Sequence, residues 1–376
     1  MNNIIKLTSF IYLLSLSAMS VHAADDLAGT LAALEEKGIT LEASYIFEYA
    51  DNLSGGAIQD STYQDNFLAG VGLDGEKFGM PGASFYFNLL GNNGHNPSPS
   101  TMVGDAQGVS NIEAPDKWQI NEAWYEQAIG ESFSIKLGHY DLNSEFDAID
   151  TAGLFLNSSH GIGPDISQTG PSIFPELFPG VRLAYSMANG RYLQAAYIDN
   201  TYVDPDDKMV AVEYGKLSEE GKKLNRYAIG LWYYTNGVTA DINGTPISET
   251  NNQGFYALYE TGLSENLNAY IRYGVADDDL NQFSSYLGLG AVYTGLFDGR
   301  AEDQLGLAVA IASNSSTYKN ATPTATSGET NIELSYRMQV NDWFAVQPDI
   351  QYVIDPGADN GLNNATLFML RVEAGF

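Results

Sequence analysis

Thr366-Leu-Phe-Met-Leu-Arg-Val-Glu-Ala-Gly-Phe376 closes the chain. Counting back from Phe376, the residues Ala374, Val372, Leu370 and Phe368 are apolar, and Gly375, Glu373, Arg371, Met369 and Leu367 lie between them. A period of two belongs to a β-strand with one apolar and one mixed face. An aromatic as the last residue of such a strand is what an outer-membrane β-barrel carries, where the final strand closes on the first. A soluble sandwich can also end on a strand, so the rest of the chain has to decide.

The same alternation recurs upstream. Ile39, Leu41, Ala43, Tyr45, Phe47 and Tyr49 alternate with Thr40, Glu42, Ser44, Ile46 and Glu48, so one face suits lipid and the other carries two carboxylates. Comparable runs start at Phe67, Ala83, Phe133, Val181, Tyr227, Phe255, Leu267, Leu305, Ile332 and Phe344. Less regular segments lie near 118–128, 192–198, 208–214 and 286–294. Together they predict roughly sixteen strands, and an even number of antiparallel strands is the rule for bacterial outer-membrane barrels. Some connections are tight, such as 187–190 and 263–266; others are long and polar, such as 91–117 and 313–329. Short periplasmic turns and long extracellular loops give that asymmetry.

Bulk composition agrees. Cysteine is absent, so neither disulfides nor thiolate zinc hold the fold, while Tyr 24, Phe 17 and Gly 38 suit a barrel with aromatic girdles and bending strands. The 47 acidic against 17 basic residues give a net charge of −30, which makes nucleic acid a poor partner. Lys6 followed by the apolar run 10–19 and by Val21-His-Ala23 has the layout of a secretory signal, expected to be cut after Ala23, leaving 24–376 as the barrel domain. No other run reaches the roughly 20 apolar residues of a spanning helix, whereas a barrel strand needs only about 9–11. Leu27, Leu31 and Leu34 at helical spacing predict a short amphipathic helix near 27–37.

Catalytic chemistry finds little support. The four histidines, His22, His95, His139 and His160, have no zinc spacing, and Gly70-Val-Gly-Leu-Asp-Gly75 precedes no helix that would make it a phosphate loop. No cofactor and no metal is expected; the acidic tips Asp204-Pro-Asp-Asp207 and Asp277-Asp-Asp279 read as solvated loops, with calcium the alternative. What remains is a set of charges on the inward parity: Glu42, Glu48, Lys136, Arg182, Glu260, Arg272, Glu333, Arg337, Asp349, Arg371 and Glu373. In hydrocarbon an Arg or Lys would cost roughly 2–4 kcal/mol, so these side chains must face a watery lumen. Mixed charges, hydroxyls and aromatic rings suit sugars, which offer hydroxyls to polar groups and C–H faces to rings.

Several stretches then resemble the carbohydrate-selective porins of the OprB family. The likeness is clearest at Lys136-Leu-Gly-His-Tyr-Asp-Leu-Asn-Ser-Glu-Phe146, Leu154-Phe-Leu-Asn-Ser-Ser159 and Gly170-Pro-Ser-Ile-Phe-Pro175. Asn121-Glu-Ala-Trp-Tyr-Glu-Gln127, Phe297-Asp-Gly-Arg-Ala-Glu-Asp303 and Gln347-Pro-Asp-Ile-Gln-Tyr352 extend it over nearly the whole mature chain. The resemblance implies a sixteen-stranded barrel in the outer membrane of a Gram-negative bacterium, surrounded by lipid and lipopolysaccharide. It also implies an inward loop and passive uptake of small sugars. The family's Trp-Gly-Gly-x-Arg motif is replaced here by Leu27-Ala-Gly-Thr-Leu-Ala. Monomer and homotrimer both stay open, as do two rival functions, a cation-preferring general porin and a secreted soluble carbohydrate-binding β-protein.

The insertion 141–179 holds four prolines and apolar residues that include Phe146, Leu154, Phe155, Phe174, Leu177 and Phe178, which a floppy surface loop would not keep in water. It is expected to fold into the lumen, the alternative being a loop packed on the rim or on a neighbouring subunit. Lys136, Tyr140, Asp141 and Asn143 lead into it and Arg182 follows it. Lys136 and Arg182 should be neighbours, with Glu122 as their carboxylate and Trp124 as a stacking surface. Arg272, Arg337 and Arg371 should face the loop tip, where Phe155, Asn157, Phe174 and Phe178 would line the opening. These arginines act either as sugar ligands or as clamps on the loop backbone.

Overall fold

Alternating side chains force each strand to choose between lipid and lumen, and closure removes every unpaired edge. In the computed structural model, which describes residues 21–199, 208–220, 223–235, 238–240 and 246–376, this choice is made by sixteen strands in one closed antiparallel barrel. In chain order the first nine strands are β1 (Ile39–Ser54), β2 (Ser61–Asp74), β3 (Ala83–Gly94), β4 (Lys117–Ile129), β5 (Phe133–His139), β6 (Pro179–Ser186), β7 (Arg191–Asp199), β8 (Lys208–Glu220) and β9 (Lys223–Thr235). A small hairpin, β10 (Val238–Ala240) and β11 (Pro246–Thr250), stands outside the barrel, an element that sequence periodicity missed. The wall resumes with β12 (Gln253–Gly262), β13 (Leu267–Ala276), β14 (Phe283–Thr294), β15 (Gln304–Asn314), β16 (Gly328–Asn341), β17 (Phe344–Ile354) and β18 (Ala365–Gly375).

The C-terminal strand closes the barrel as its alternation predicts. β18 pairs with β1 from Ser44↔Gly375 to Ser54↔Thr366, and Ala43 and Phe376 exchange backbone hydrogen bonds at 3.0 and 3.1 Å. The apolar parity faces outward: Leu231, Leu307 and Ile271 are among the most exposed large side chains, at 59%, 54% and 48%. In water that would be a fault; around a barrel it is the lipid band.

A helix, α1 (Val21–Glu35), precedes the barrel and begins earlier than its leucine spacing suggests. The proposed cleavage point after Ala23 lies inside it, while residues 1–20 lie outside the described residues. Gly38 turns the chain from α1 into β1 at φ +83, where a Cβ would also meet the Lys77 side chain at 2.6 Å. The connections on this end are short, including 130–132, 187–190 and 263–266, which makes it the periplasmic end. The opposite end carries 95–116 and 140–178.

Both long loops turn inward. Segment 140–178 leaves between β5 and β6, yet it bonds to side chains on β8, β12, β13, β14, β16 and β17, far around the circumference. Its Phe146, Leu154, Phe155, Ile166 and Phe178 pack with Trp232, Tyr256 and Tyr270 of the wall into a dry cluster inside the barrel. Gly306 makes room for this contact, since a Cβ there would meet Leu154 at 2.6 Å and Phe155 at 2.8 Å. Segment 95–116, read from sequence as an ordinary polar loop, also plugs inward: Met102, Val103 and Val109 pack with Leu156, Leu367 and Met369. The two segments meet where Asn111 N–H donates to Leu156 O at 2.7 Å and Ser158 N–H to Gly108 O at 2.8 Å.

Candidate functional site

Cross-strand register builds the charged row at the loop's root. Glu126 of β4 faces Lys136 of β5, which faces Arg182 of β6. The two neighbouring cations are held together by Glu145 from the loop. It accepts from Lys136 Nζ at 2.6 Å and from Arg182 Nε and Nη2 at 2.7 and 2.8 Å. Arg182 also donates to Glu126 at 2.9 Å and to the Ser134 hydroxyl at 2.6 Å. The expected carboxylate between the cations is therefore replaced by two others. Antiparallel register puts Ala123 opposite His139, so Glu122 stands four residues too far along its strand. There it accepts from the backbone N–H of Asp141 at 3.3 Å and from the Asn88 amide.

Trp124 does share the lumen with Lys136, whose ammonium lies 4.3 Å from the indole centroid, and it stacks on Tyr86 at 5.3 Å. Tyr140 is fully buried in the loop cluster. Asp141 caps the short turn Leu142–Ser144 by accepting from Asn143 N–H at 2.9 Å. The Asn143 amide staples the loop to itself through Phe146, Asp147 and Gly161 carbonyls.

The three later arginines do not converge. Arg272, 1% exposed, grips the loop: Nε and Nη2 donate to Asp147 at 3.1 and 2.7 Å, and its remaining edge pairs with Asp165. The Tyr256 and Tyr286 rings flank it at 5.4 and 5.3 Å. Burial raises the Asp147 carboxyl to about 6 even though Arg272 pulls it down. Arg371 pairs with Glu48 and with Asn111 of segment 95–116 instead of the loop tip. Arg337 stays near the periplasmic end on Glu373, at 2.8 Å.

Phe155 and Asn157 also depart from their expected place at the opening. Phe155 is 1% exposed, its ring 5.0 Å from that of His160. Asn157 is buried and caps the turn Ser158–Gly161. Phe178 is buried too, and Phe174 is half-buried. An apolar ring on a loop that has a wall to pack against gains more from burial than from lining water. His160, buried and bonded through Nδ1 to the Tyr270 hydroxyl at 2.8 Å, is pushed down to about 3 by burial and stays neutral.

Sequence reasoning missed the main anchoring device. Four wall glutamates, Glu213, Glu260, Glu329 and Glu333, accept backbone N–H groups of the inward segments. The donors are Asp147 to Glu213 at 2.9 Å, Thr151 to Glu260 at 2.6 Å, Ala106 and Gln107 to Glu329 at 2.9 and 3.1 Å, and Leu156 and Asn157 to Glu333. Glu260 and Glu333 were legible as inward charges; what they hold was not, because a main-chain donor leaves no mark in sequence. Among the acidic tips, Asp278 accepts from Ser316 N–H at 2.9 Å and Asp279 from Thr317 at 2.9 Å, while 204–207 lies outside the described residues. No group of three metal-ligating side chains occurs among the described residues.

Asp141 gives the loop root a pH dependence. Burial raises its carboxyl to about 7, with Glu122 and Glu145 adding to the rise and the Asn143 N–H opposing it. A carboxyl that holds its proton more tightly folded than unfolded favours the fold at low pH, and this contribution is lost as pH rises from about 4 through about 7. Asp141→Asn keeps the cap without the charge. The melting temperature of the variant relative to the parent should therefore climb across that window and level off above it. A difference that stays flat with pH would show that Asp141 titrates normally.

On the wall from β1 to β6, Glu42, Tyr86, Glu122, Trp124 and Glu126 stay half-buried, as do Asp141, Asn143 and Glu145 of the loop root. Across the lumen, Trp232, Tyr234, Tyr256 and Tyr270 are sealed under the loop. Half-buried polar and aromatic groups thus stand on one side of the lumen and sealed aromatic groups on the other.

Comparison with known proteins supplies the family. The model of the family described as "Carbohydrate-selective porin, OprB family" matches residues 59–225 and 226–376. Porin B of Pseudomonas aeruginosa is 25% identical over 418 aligned residues, covering 93% of this chain and 90% of that protein. The high-pH structure of Pseudomonas putida OprB superposes with a TM-score of 0.82 at 22% identity, covering 93% of this chain and 97% of that one. The low-pH structure of the same protein gives 0.63 at 20% identity, covering 95% and 98%. These structural likenesses share the barrel; the family match covers most of the chain. The chain belongs to the OprB family of carbohydrate-selective porins and is a carbohydrate channel of the Gram-negative outer membrane.

Proposed function

We propose that sugars pass this barrel passively along the β1–β6 wall, between that wall and the root of loop 140–178, without covalent change. One observation carries the reading: Glu42, Tyr86, Glu122, Trp124 and Glu126 of this wall remain half-buried, whereas Trp232, Tyr234, Tyr256 and Tyr270 across the lumen are sealed into the loop cluster. Glu122, Asp141 and the Asn143 amide oxygen present acceptors to hydroxyls, and Tyr86 with Trp124 presents an aromatic flank. Lys136, Arg182, Arg272 and Arg371 are spent on ion pairs, so they act as clamps that set the width of the opening. Phe155 and Asn157 serve the loop's packing and not the permeant. The extracellular rim faces lipopolysaccharide, and the barrel encloses its own route, so a single chain suffices for transport.

The carboxylates of the same wall also favour cations, which keeps a general cation porin as the second reading. Single-channel recording in planar bilayers separates the two. Glucose at saturating concentration should suppress most of the potassium current, because sugar and ions share one narrow route. Ion current indifferent to glucose, maltose and sucrose alike would leave the general porin standing.

A further inference from the structure

Beneath loop 140–178, toward the periplasm, the lumen keeps a cavity of about 380 Å³. The loop turn Asp150–Leu154 roofs it, and β13 to β18 supply its walls through Asn268, Gln304, Arg337, Gln347 and Glu373. We propose that this cavity is a second saccharide subsite, an exit site that holds one monosaccharide unit after it has passed the loop. It rests on the channel reading above but sits on the opposite wall from the opening along β1–β6.

Size, polarity and one unpartnered group support it. The volume lies within the range of about 300–1,000 Å³ typical of small-molecule sites. Arg337 and Glu373 form an ion pair whose side chains are 26% and 25% exposed, so both can be reached from the cavity. Of the five guanidinium N–H groups, Nε and one on Nη2 go to Glu373 and one on Nη1 goes to Gln339. Two donors remain on adjacent nitrogens, a spacing that suits the neighbouring hydroxyls of a sugar. Gln304 stands in register with Arg337 and places a side-chain amide beside them.

Asn268 Oδ1 is buried and accepts no hydrogen bond within the protein among the described residues. A buried acceptor without a donor is costly, so the site favours a permeant that brings hydroxyls. Asp150 adds an exposed carboxylate at the roof, and Leu154 and Val292 add a small apolar surface for the C–H face of a ring. Alternating donors and acceptors over an apolar patch match a pyranose better than a bare ion, which needs one sign of charge.

The test uses the full barrel in planar bilayers with D-glucose added to one side at a time. Asn268→Leu and Gln304→Leu remove the orphan acceptor and the amide without touching the β1–β6 wall. The glucose concentration that half-blocks the current from the periplasmic side should rise about five-fold in each, what one ordinary hydrogen bond is worth. Block from the extracellular side should stay as in the parent. Heat-modifiable gel migration checks that each variant folds, and Asn268→Ala and Gln304→Ala replace any that does not. Equal block of parent and variants from both sides overturns the exit site while the channel reading stands. Glucose that blocks the parent from neither side overturns both.

Discussion

Arg272→Ala is expected to cost about 3–5 kcal/mol of stability and to release loop 140–178 from the far wall. The loss follows from what the guanidinium leaves behind. Asp147 and Asp165 would remain buried side by side, with no cation between them, beneath the Tyr256 and Tyr286 rings. The loop would lose its central clamp while keeping its glutamate anchors at Thr151 and Leu156. Single-channel conductance should rise, and sites in 140–178 should become open to protease. Adding Asp147→Asn and Asp165→Asn to an Arg272→Met background should recover most of the stability, because the buried charges go together. A lone Arg272→Ala protein with parental conductance and parental resistance to heat would show that the loop is held without its ion pair.

Leu231→Arg is expected to destabilise the barrel by about 2–4 kcal/mol in lipid. Leu231 lies mid-strand in β9 on the outward parity and is 59% exposed, so the guanidinium would enter hydrocarbon. Leu263→Arg provides the contrast. Leu263 is as exposed, at 62%, but lies in the periplasmic turn between β12 and β13, where water reaches it. There the cost should fall to about 0–1 kcal/mol. Unfolding by urea in lipid vesicles measures both. Equal costs at the two positions would mean that the outward parity does not lie in lipid.

The barrel was legible because one physical demand repeats at every strand. A residue between lipid and lumen has two environments, and the period-two pattern of β1, β12, β16 and β18 records which one each side chain meets. All sixteen wall strands fall on segments that show this alternation or its weaker form. The interior was less legible. Lys136 and Arg182 could be paired from parity alone, since they sit on consecutive strands. Their carboxylates could not, because Glu126 depends on the exact register between β4 and β5, and Glu145 on the path of a loop. A register shift between Phe87 and Leu89 further changes how β4 runs along β3. Segment 95–116 was misread for a related reason: Met102, Val103 and Val109 are too few to announce burial, and their partners Leu367 and Met369 lie at the other end of the chain.

The glutamate anchors have a consequence for how such a channel can change. Glu213, Glu260, Glu329 and Glu333 grip peptide N–H groups, which every residue except proline carries. The wall therefore reads where the loop backbone runs and is blind to which side chain it bears at an exposed position such as Ala106. Substitutions there can reshape the surface offered to a permeant while the scaffold that aims it stays in place. Selectivity and architecture are in this way written in separate parts of the chain, and a designer can edit the first without rebuilding the second.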